Sequence, residues 1–413
     1  MNGNLDQFGV LCRRLPGAVP AVADLDLPAL DYADPTLHGE RFHDTLRELR
    51  ERTWVARAEP VGWFVLDREA VAHFMRTRSA TFPGRKLLEI QGVTSGPLYE
   101  RLKGNLLDLQ GEDHKRLRKL VQPSFTPAAA DAWRPAMRGH LEDLWQSVAG
   151  DGRCNFVEAF AKPYPALMIA EVMGAPASDA PRLHAWANRI QQQFDPVKIA
   201  TELPELERAA AEFVEYTRGL MREREAEPRD DLITQLLPAG EEGVHLVSAI
   251  LVGGVDTTQS QLAHGIRLFA GRPDQWRKLA ADPALAAAAT EEILRFEPIT
   301  PFTARIMLED VEYRDVVFPE GTLVFAVAAS ANRDPESWEA PDELDIEAER
   351  DRAKPLTFGA GPHFCLGANL ARAELQEALA FLAQRMPDLE LDGDPIFDSP
   401  LGVYGLHALP IRW

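Results

Sequence analysis

Cysteine is scarce in this chain, and its scarcity excludes two classes of protein. The 413 residues include only three cysteines, Cys12, Cys154 and Cys365. They are scattered and odd in number, so the sequence predicts no disulfide framework. Three thiolates also cannot supply the four that an ordinary iron–sulfur cluster requires. A disulfide-stabilised protein and an iron–sulfur protein are therefore both excluded.

Long apolar runs and excess positive charge are also missing. The longest apolar run, residues 246–255, is too short to span a bilayer, and residues 1–17 contain no apolar signal core. The formal net charge of −20 disfavours non-specific binding to nucleic acid or to anionic membranes, which requires a cationic face. We expect a soluble, cytoplasmic protein with a solvated acidic surface, no nucleic-acid partner and no membrane insertion.

Helical patterns dominate what is present. Helices are predicted over residues 130–150, 205–228, 245–273 and 284–298. The third of these segments is apolar on several sides, which predicts a buried central helix. Short strands are predicted over residues 62–67, 310–318 and 322–330. The fold class is therefore mainly α with a minor β region, and the chain contains no internal repeat and no low-complexity linker.

The stretch FGAGPHFCLG, residues 358–367, places Cys365 among glycines. A thiolate is a soft, electron-rich metal ligand, and it stays deprotonated beside a metal. Glycines at 359, 361 and 367 allow the backbone to approach a flat or bulky group closely. A helix is predicted to follow, and the N–H groups at its start stabilise negative charge on the sulfur. These residues favour a thiolate site, although a cysteine that merely fills a turn would also fit the glycines and the helix.

The full string F-G-x-G-x-H-x-C-x-G, continued by Leu-Ala-Arg at 370–372, resembles the haem-binding signature of the cytochrome P-450 family, in its soluble bacterial class. The resemblance implies that Cys365 is the axial iron ligand of haem b (iron protoporphyrin IX), with dioxygen as co-substrate. It covers nearly the whole chain, and implies one large helical domain over residues 1–413, with a long central helix over the haem. The implied haem contacts in this string are Phe358, Gly359, His363, Cys365 and Gly367.

The segment GGVDTT, residues 253–258, lies in the middle of the predicted central helix. Gly253 and Thr257 are four residues apart and share a face, and a threonine hydroxyl can bond the carbonyl four residues earlier and distort the helix locally. Two packing glycines and an N-cap-like DTT would explain the segment by itself. The segment also resembles the family's acid–alcohol pair, which implies that Asp256 relays protons and Thr257 positions oxygen and water.

Further residues resemble the family's structural and haem-binding elements. Glu292 and Arg295 in EEILR resemble its E-x-x-R element, whose role is structural, and either Arg350 or Arg352 completes that network. The resemblance also assigns His114, Arg118 and Arg305 to the haem propionates, because charge-assisted hydrogen bonds suit a carboxylate.

The resemblance places a substrate above the haem, against a mostly apolar wall, which suits a hydrophobic small molecule. The implied pocket residues are Ala249, Val252, Gly253, Ile299, Thr300, Phe302, Val403 and Tyr404. Thr300 and Tyr404 are the expected polar contacts, and residues 86–102 form a further wall.

Electrons must come from outside this chain. It has no G-x-G-x-x-G dinucleotide loop and no fused reductase or ferredoxin, so the resemblance implies electrons from NAD(P)H through a separate ferredoxin and ferredoxin reductase. A basic cluster is the expected docking face. Its members are Lys115, Arg116, Lys119 and Arg372.

Three other interpretations compete with a monooxygenase that inserts one atom of dioxygen into a hydrophobic substrate, by hydroxylation or a related oxidation. A peroxide-driven haem-thiolate oxidase is disfavoured because the Asp256–Thr257 pair is intact. A non-catalytic haem-thiolate sensor or carrier needs no proton relay and usually has a signalling domain, for which no segment is evident. A helical structural protein with a structural cysteine leaves the motif spacing unexplained.

Overall fold

The computed structural model describes residues 19–350 and 353–413. The helices are α1 (Gly39–Arg52), α2 (Arg68–Arg76), α3 (Arg85–Ile90), α4 (Pro97–Leu102), α5 (Gly111–Val121), α6 (Pro127–Ala132), α7 (Arg134–Gln146), α8 (Pro163–Met173), α9 (Ala180–Gln191), α10 (Pro196–Ala226), α11 (Leu232–Leu236), α12 (Glu241–Gly254), α13 (Asp256–Ala270), α14 (Pro273–Ala281), α15 (Ala286–Phe296), α16 (Ala328–Ala331) and α17 (Ala368–Arg385). The strands are β1 (Ala29–Asp31), β2 (Val55–Glu59), β3 (Trp63–Val65), β4 (Ala80–Thr81), β5 (Arg153–Asn155), β6 (Thr303–Met307), β7 (Val311–Tyr313), β8 (Val316–Phe318), β9 (Leu323–Ala326), β10 (Glu390–Leu391), β11 (Ile396–Phe397), β12 (Leu406–Ala408) and β13 (Pro410–Arg412).

The largest sheet joins two distant parts of the chain. Its strand order is β1-β2-β3-β9-β6-β4, so the strands between residues 29 and 81 pair with those between 303 and 326. Strand β3 runs parallel to β9, and β6 runs antiparallel to β9 with Thr303 opposite Ala326. Smaller sheets are formed by β10-β13-β5, by β11-β12 and by the hairpin β7-β8. The predicted fold class, mainly α with a minor β region, is confirmed.

The predicted central helix is present as two helices in line. Helices α12 and α13 are separated only by Val255, whose φ and ψ are −93° and −68°. The Thr257 hydroxyl donates a hydrogen bond of 2.6 Å to the Gly253 carbonyl oxygen. A threonine side chain that takes a main-chain acceptor in this way loosens the local turn, as expected for this segment. The pair ends at Ala270, three residues earlier than predicted, because α14 begins with Pro273.

The other predicted helices differ mainly at their ends. The segment 130–150 contains two helices, because α6 ends at Ala132 and α7 restarts with a proline in its first turn. Helix α10 begins at Pro196, nine residues before the predicted start, and bends at Glu202, just before Pro204. Helix α15 matches the predicted segment 284–298 to within two residues at each end.

Two strand predictions were wrong in detail. Residues 310–318 are not one strand but a tight hairpin, since Arg314 and Asp315 have φ values of 51° and 57° and form its turn. Residues 322–330 contain β9 only as far as Ala326, after which the short helix α16 begins at Ala328. Because this stretch is buried on all sides, its apolar run has no period that would distinguish a strand from a helix.

Apolar side chains of α7 to α10, α12 to α15 and α17 form the largest hydrophobic core, which encloses the paired central helices. Two smaller cores lie against the six-stranded sheet. Among residues 19–350 and 353–413, no helix combines the length and the apolar character needed to cross a bilayer.

Candidate active site

The loop around Cys365 is shaped by its glycines. Gly359 and Gly361 have φ values of 73° and 75°, which other residues rarely adopt. A Cβ atom at Gly361 would lie 3.1 Å from both the Arg76 Cα and the Met75 carbonyl oxygen, so the loop packs directly on the end of α2. The Cys365 N–H donates to the Phe358 carbonyl oxygen at 2.9 Å. These constraints present Cys365 at a fixed place just before α17.

The Cys365 thiol lies between opposing electrostatic influences. Cys365 is solvent-exposed, yet the protein packed around it raises the pKa of its thiol by desolvation. The backbone N–H groups of Gly367 and Ala368, and the guanidinium groups of Arg118 and Arg372, lower that pKa. The pKa is raised overall in the protein alone, and coordination to a metal deprotonates a thiol outright. The N–H and guanidinium groups would therefore stabilise the thiolate once a metal had displaced its proton.

Four basic side chains gather beside this loop without an acidic partner. The His114 and His363 ring centroids are 4.6 Å apart, and Arg118 donates to the Phe364 carbonyl oxygen at 2.7 Å. Arg305 is buried and forms one hydrogen bond, to the Ala304 carbonyl oxygen. Burial lowers the pKa of Arg305 to about 10, and burial together with His114, Arg305 and Arg118 lowers the pKa of His363 to about 4.

This gathering of two guanidinium groups and two imidazoles fits a group that carries carboxylates. The His114 Nε2 atom is buried and has no hydrogen-bond partner among the described residues. Neither Arg118 nor Arg305 forms an ion pair with a carboxylate in the part of the chain that the structure describes. Burying cations without partners is unfavourable, and each of them suits the propionate of a haem. An exposed cysteine beside these residues completes a donor set appropriate to haem.

The central helices leave one face open. Gly253 is exposed, and Ala249 and Thr257, four residues to either side, are partly exposed, although most of the neighbouring residues are buried. No atom lies within 4 Å of the position that a Gly253 Cβ would occupy. Because residues four apart share a helix face, these three form a stripe of open space along α12 and α13. The predicted pocket residue Val252 is buried in the core beside this stripe.

Asp256 is held by a residue that the sequence analysis did not identify. Its Oδ1 atom accepts a hydrogen bond of 3.0 Å from Asn188 Nδ2, on α9. Burial raises the pKa of Asp256 to about 6, the negative charge of Asp398 adds to this rise, and the Asn188 bond opposes it. A carboxyl with a pKa close to neutrality can both accept and donate protons under physiological conditions. Only proximity in the fold identifies Asn188, since it is 68 residues away in sequence.

The E-x-x-R network is complete and uses Arg350. Arg295 donates to both Glu292 carboxylate oxygens at 2.8 Å, and Arg350 donates to the same oxygens at 2.9 and 3.0 Å. The Asp345 N–H adds a bond of 3.0 Å. The alternative, Arg352, lies outside the described residues, as does Cys12.

Several predicted pocket residues contribute to the core. Tyr404 as a polar substrate contact was wrong: its hydroxyl oxygen accepts a hydrogen bond of 2.6 Å from the Gly39 N–H, and its ring is fully buried. The Tyr404 N–H also bonds the carbonyl of Ile299, which is buried. Phe302 packs in an aromatic cluster with Tyr32, Phe64 and Phe325. Thr300 and Val403 are partly exposed.

The predicted basic docking face is mostly neutralised. Three of its four cations form ion pairs with nearby carboxylates. The pairs are Lys115–Glu112, Arg116–Glu242 and Arg372–Glu291. Among the described residues, Lys119 forms no ion pair, and it lies one residue from Arg118, which contacts the cysteine loop. Sequence alone counted the cations but could not place Glu242 and Glu291 beside them.

Comparison with known proteins identifies the family. The family model described as cytochrome P450 matches residues 280–387. Cytochrome P450 107B1 of Saccharopolyspora erythraea is 36% identical over 320 residues, 75% of this chain and 77% of that protein. The chain belongs to the cytochrome P450 family. Luteothin monooxygenase of Streptomyces thioluteus is 35% identical over 396 residues, 94% of this chain and 96% of that protein.

A solved cytochrome P450 structure agrees with the fold. P450BioI in complex with an acyl carrier protein ligated with hexadec-9Z-enoic acid has a TM-score of 0.84 and 28% identity, over 91% of this chain and 99% of that chain. The chain is thus a cytochrome P450-type monooxygenase, for which the family implies a haem-thiolate cofactor and the use of dioxygen.

Proposed function

We propose that Cys365 is the axial haem ligand of this cytochrome P450, and that His114, Arg118, Arg305 and His363 hold the propionates of haem b. The observation that carries the proposal is the gathering of these unpaired basic groups beside an exposed cysteine. Bound there, haem supplies the reductive activation of dioxygen and the transfer of one oxygen atom to an organic substrate. Phe358, Gly359 and Gly367 shape the loop that carries the ligand.

Asp256 and Thr257 then deliver protons on the open face of the central helices. Asn188 holds the Oδ1 atom of Asp256, which leaves Oδ2 to carry the proton. The Thr257 hydroxyl donates its hydrogen to the Gly253 carbonyl oxygen, so its own oxygen is left to accept a hydrogen bond from water on the open face. The two side chains thereby connect the protein interior with the exposed stripe at Gly253.

The substrate is a mainly hydrophobic small molecule. Ala249 and Gly253 form its apolar wall, and Thr300 and Val403 are further candidates at the edge of this wall. In this proposal NAD(P)H supplies electrons through a separate ferredoxin and ferredoxin reductase, in keeping with the lack of a G-x-G-x-x-G dinucleotide loop in residues 1–413. Lys119, next to Arg118 on α5, provides residual positive charge for an acidic electron donor.

Substitution of Thr257 tests this function. With a compound that shifts the Soret band of the wild type, and with ferredoxin, reductase and NAD(P)H, Thr257→Ala should still consume NAD(P)H but release most of the electrons as hydrogen peroxide. Thr257→Ser should restore coupling, because it retains the hydroxyl that bonds the Gly253 carbonyl. Equal peroxide yields from wild type and Thr257→Ala would instead favour a peroxide-driven oxidase, and no NAD(P)H consumption in either would favour a sensor.

A further inference from the structure

Arg101, on α4, is a fully buried arginine whose hydrogen-bonding groups are mostly unused. It is 2% exposed, as buried as Arg224 and Arg295. Arg295 is saturated by Glu292 and by main-chain carbonyls, and Arg224 binds Asp231 and the Gly174 carbonyl oxygen. Arg101 has a single partner, the Gln193 side-chain oxygen at 2.9 Å, and its Nε and Nη1 atoms have none among the described residues.

The Arg101 guanidinium remains charged despite its burial. Desolvation lowers its pKa to about 10, which leaves it protonated at neutral pH. A buried charge is unfavourable unless an opposite charge and hydrogen bonds compensate for it, and one neutral amide does not provide that compensation. The free N–H groups on Nη1 and Nε therefore require an anionic acceptor that the described residues do not supply.

Arg101 belongs to residues 86–102, an expected wall of the substrate pocket. Its partner Gln193 belongs to the short 3-10 turn Gln192–Phe194 that follows α9. The next residue, Phe194, lies beside Gly402, which precedes the expected pocket residue Val403. A Cβ atom built on Gly402 would be 3.1 Å from the Phe194 Cβ atom. Helix α4 also packs against α12, where Arg101 acts on His245, about one helical turn before Ala249 of the open stripe.

Arg101 is separate from the cations assigned to the haem propionates. Those cations influence one another, since His114, Arg118 and Arg305 all act on the pKa of His363. Arg101 does not contribute to the pKa shift of His363 and instead helps to lower the pKa of His245, on α12. The hydrogen bonds agree with this division, because Arg118 contacts the cysteine loop whereas Arg101 contacts the turn after α9.

We propose that Arg101 is the subsite for a carboxylate on the otherwise hydrophobic substrate. The proposal rests on the monooxygenase function described above, and it restricts the substrate to molecules that combine an apolar skeleton with a carboxylate. The guanidinium donates through Nη1 and Nε to the carboxylate, while Gln193 fixes its orientation through Nη2. A charge-assisted contact of this kind fixes one end of the substrate and so selects which carbon reaches the haem.

The first test uses the substrate-free holoenzyme and needs no ligand. Arg101→Met should keep the haem content of the wild type and should leave Tm unchanged or raise it, because it removes a charge that has no partner. Arg224→Met is the matched control and should lower Tm, since it breaks a buried ion pair with Asp231. Loss of haem or a lower Tm in Arg101→Met would overturn the proposal, because Arg101 would then hold a propionate or the fold.

The second test measures binding by the Soret shift, with saturated fatty acids of 10 to 16 carbons and their methyl esters as probes. The wild type should bind at least one acid at least tenfold more tightly than its ester. Arg101→Gln should lose that preference while it still binds the ester, and Lys103→Gln, which removes an exposed cation two residues away, should retain it. Equal binding of acid and ester, a preference that survives in Arg101→Gln, or no shift with any acid would overturn the proposal.

These outcomes are distinguishable from failure of the proposed function. A reduced, CO-treated wild type without the band of thiolate-ligated haem would contradict the function itself. A wild type that shows this band but lacks the preference for acids would contradict only the role of Arg101.

Discussion

The fold raises the pKa of Asp256 toward neutral pH, which suits a residue that transfers protons. Its pKa rises from 3.8 to about 6 because burial disfavours the carboxylate. The folded protein therefore binds more protons than the unfolded chain between these values, and stability falls as the pH rises through this window. Above this pH window, the raised pKa lowers the free energy of unfolding by about 3 kcal/mol, at 1.36 kcal/mol per pKa unit. A buried carboxyl whose pKa lies close to neutral pH, although its burial destabilises the fold, is typical of a functional group.

Asp256→Asn should remove this penalty and the proton relay together. We expect the variant to be more stable than the wild type at pH 8, by up to about 3 kcal/mol, and to lose about half of that advantage at pH 5. Thermal unfolding of the holoenzyme at the two pH values measures the difference, and turnover should fall at both.

Asn188→Ala is the control for this prediction. It deletes the bond that opposes the rise in the pKa of Asp256, so the acidic limb of the pH–rate profile should move to higher pH. An Asp256→Asn stability advantage that is the same at pH 5 and pH 8 would contradict the raised pKa.

The sequence predicted only part of this site, because some of its residues are brought together only by the fold. Cys365, Asp256 and Thr257 occur in contiguous strings whose spacing is informative. Asn188 and Arg101 do not, because their significance comes from neighbours remote in sequence. Tyr404 was misassigned because nothing in the local sequence indicates that its hydroxyl bonds Gly39, which is 365 residues away.

At the scale of elements, Glu292 anchors helix α15 to the chain segment that leads into the cysteine loop. Glu292 is buried and is bonded by two arginines, of which Arg350 comes from the segment that precedes the loop. Burial raises the pKa of Glu292, but these arginines and the Asp345 N–H outweigh it and lower the pKa overall. The network therefore joins the helix to the segment leading to Cys365.

Glu292→Gln should leave two buried arginines without a counter-charge and should cost roughly 3–5 kcal/mol. We expect a lower Tm and loss of haem on gel filtration. Glu291→Gln, on the same helix, breaks only the partly exposed pair with Arg372 and should cost less than about 1 kcal/mol. Equal stability of the two variants, or full haem retention by Glu292→Gln, would contradict the structural role.

Element boundaries were less predictable than element type. Helical periodicity located the central helices, because both are long and buried, but it gave no sign of the break at Val255, which lies beside the Thr257–Gly253 hydrogen bond. The end of β9 could not be read from an apolar run that is buried on all sides. The choice between Arg350 and Arg352 required the geometry of three segments at once.

For the whole molecule, a net charge of −20 makes the location of unpaired cations informative. On α5, the Arg116 charge is compensated by Glu242, whereas Lys119 has no acidic partner among the described residues. Lys119→Gln should therefore slow electron transfer from an acidic ferredoxin and flatten its salt dependence more than Arg116→Gln does. Stopped-flow reduction at several ionic strengths measures this. A larger effect of Arg116→Gln would contradict the assignment of the docking charge.

The most direct test of the central claim is the absorption spectrum of the dithionite-reduced protein with carbon monoxide. We expect a strongly red-shifted Soret band, typical of thiolate-ligated haem, that Cys365→Ala abolishes, while Cys154→Ala, at a cysteine on strand β5, leaves it intact. A band at the position of histidine-ligated haem in the wild type, or a red-shifted band that persists in Cys365→Ala, would show that Cys365 is not the axial ligand.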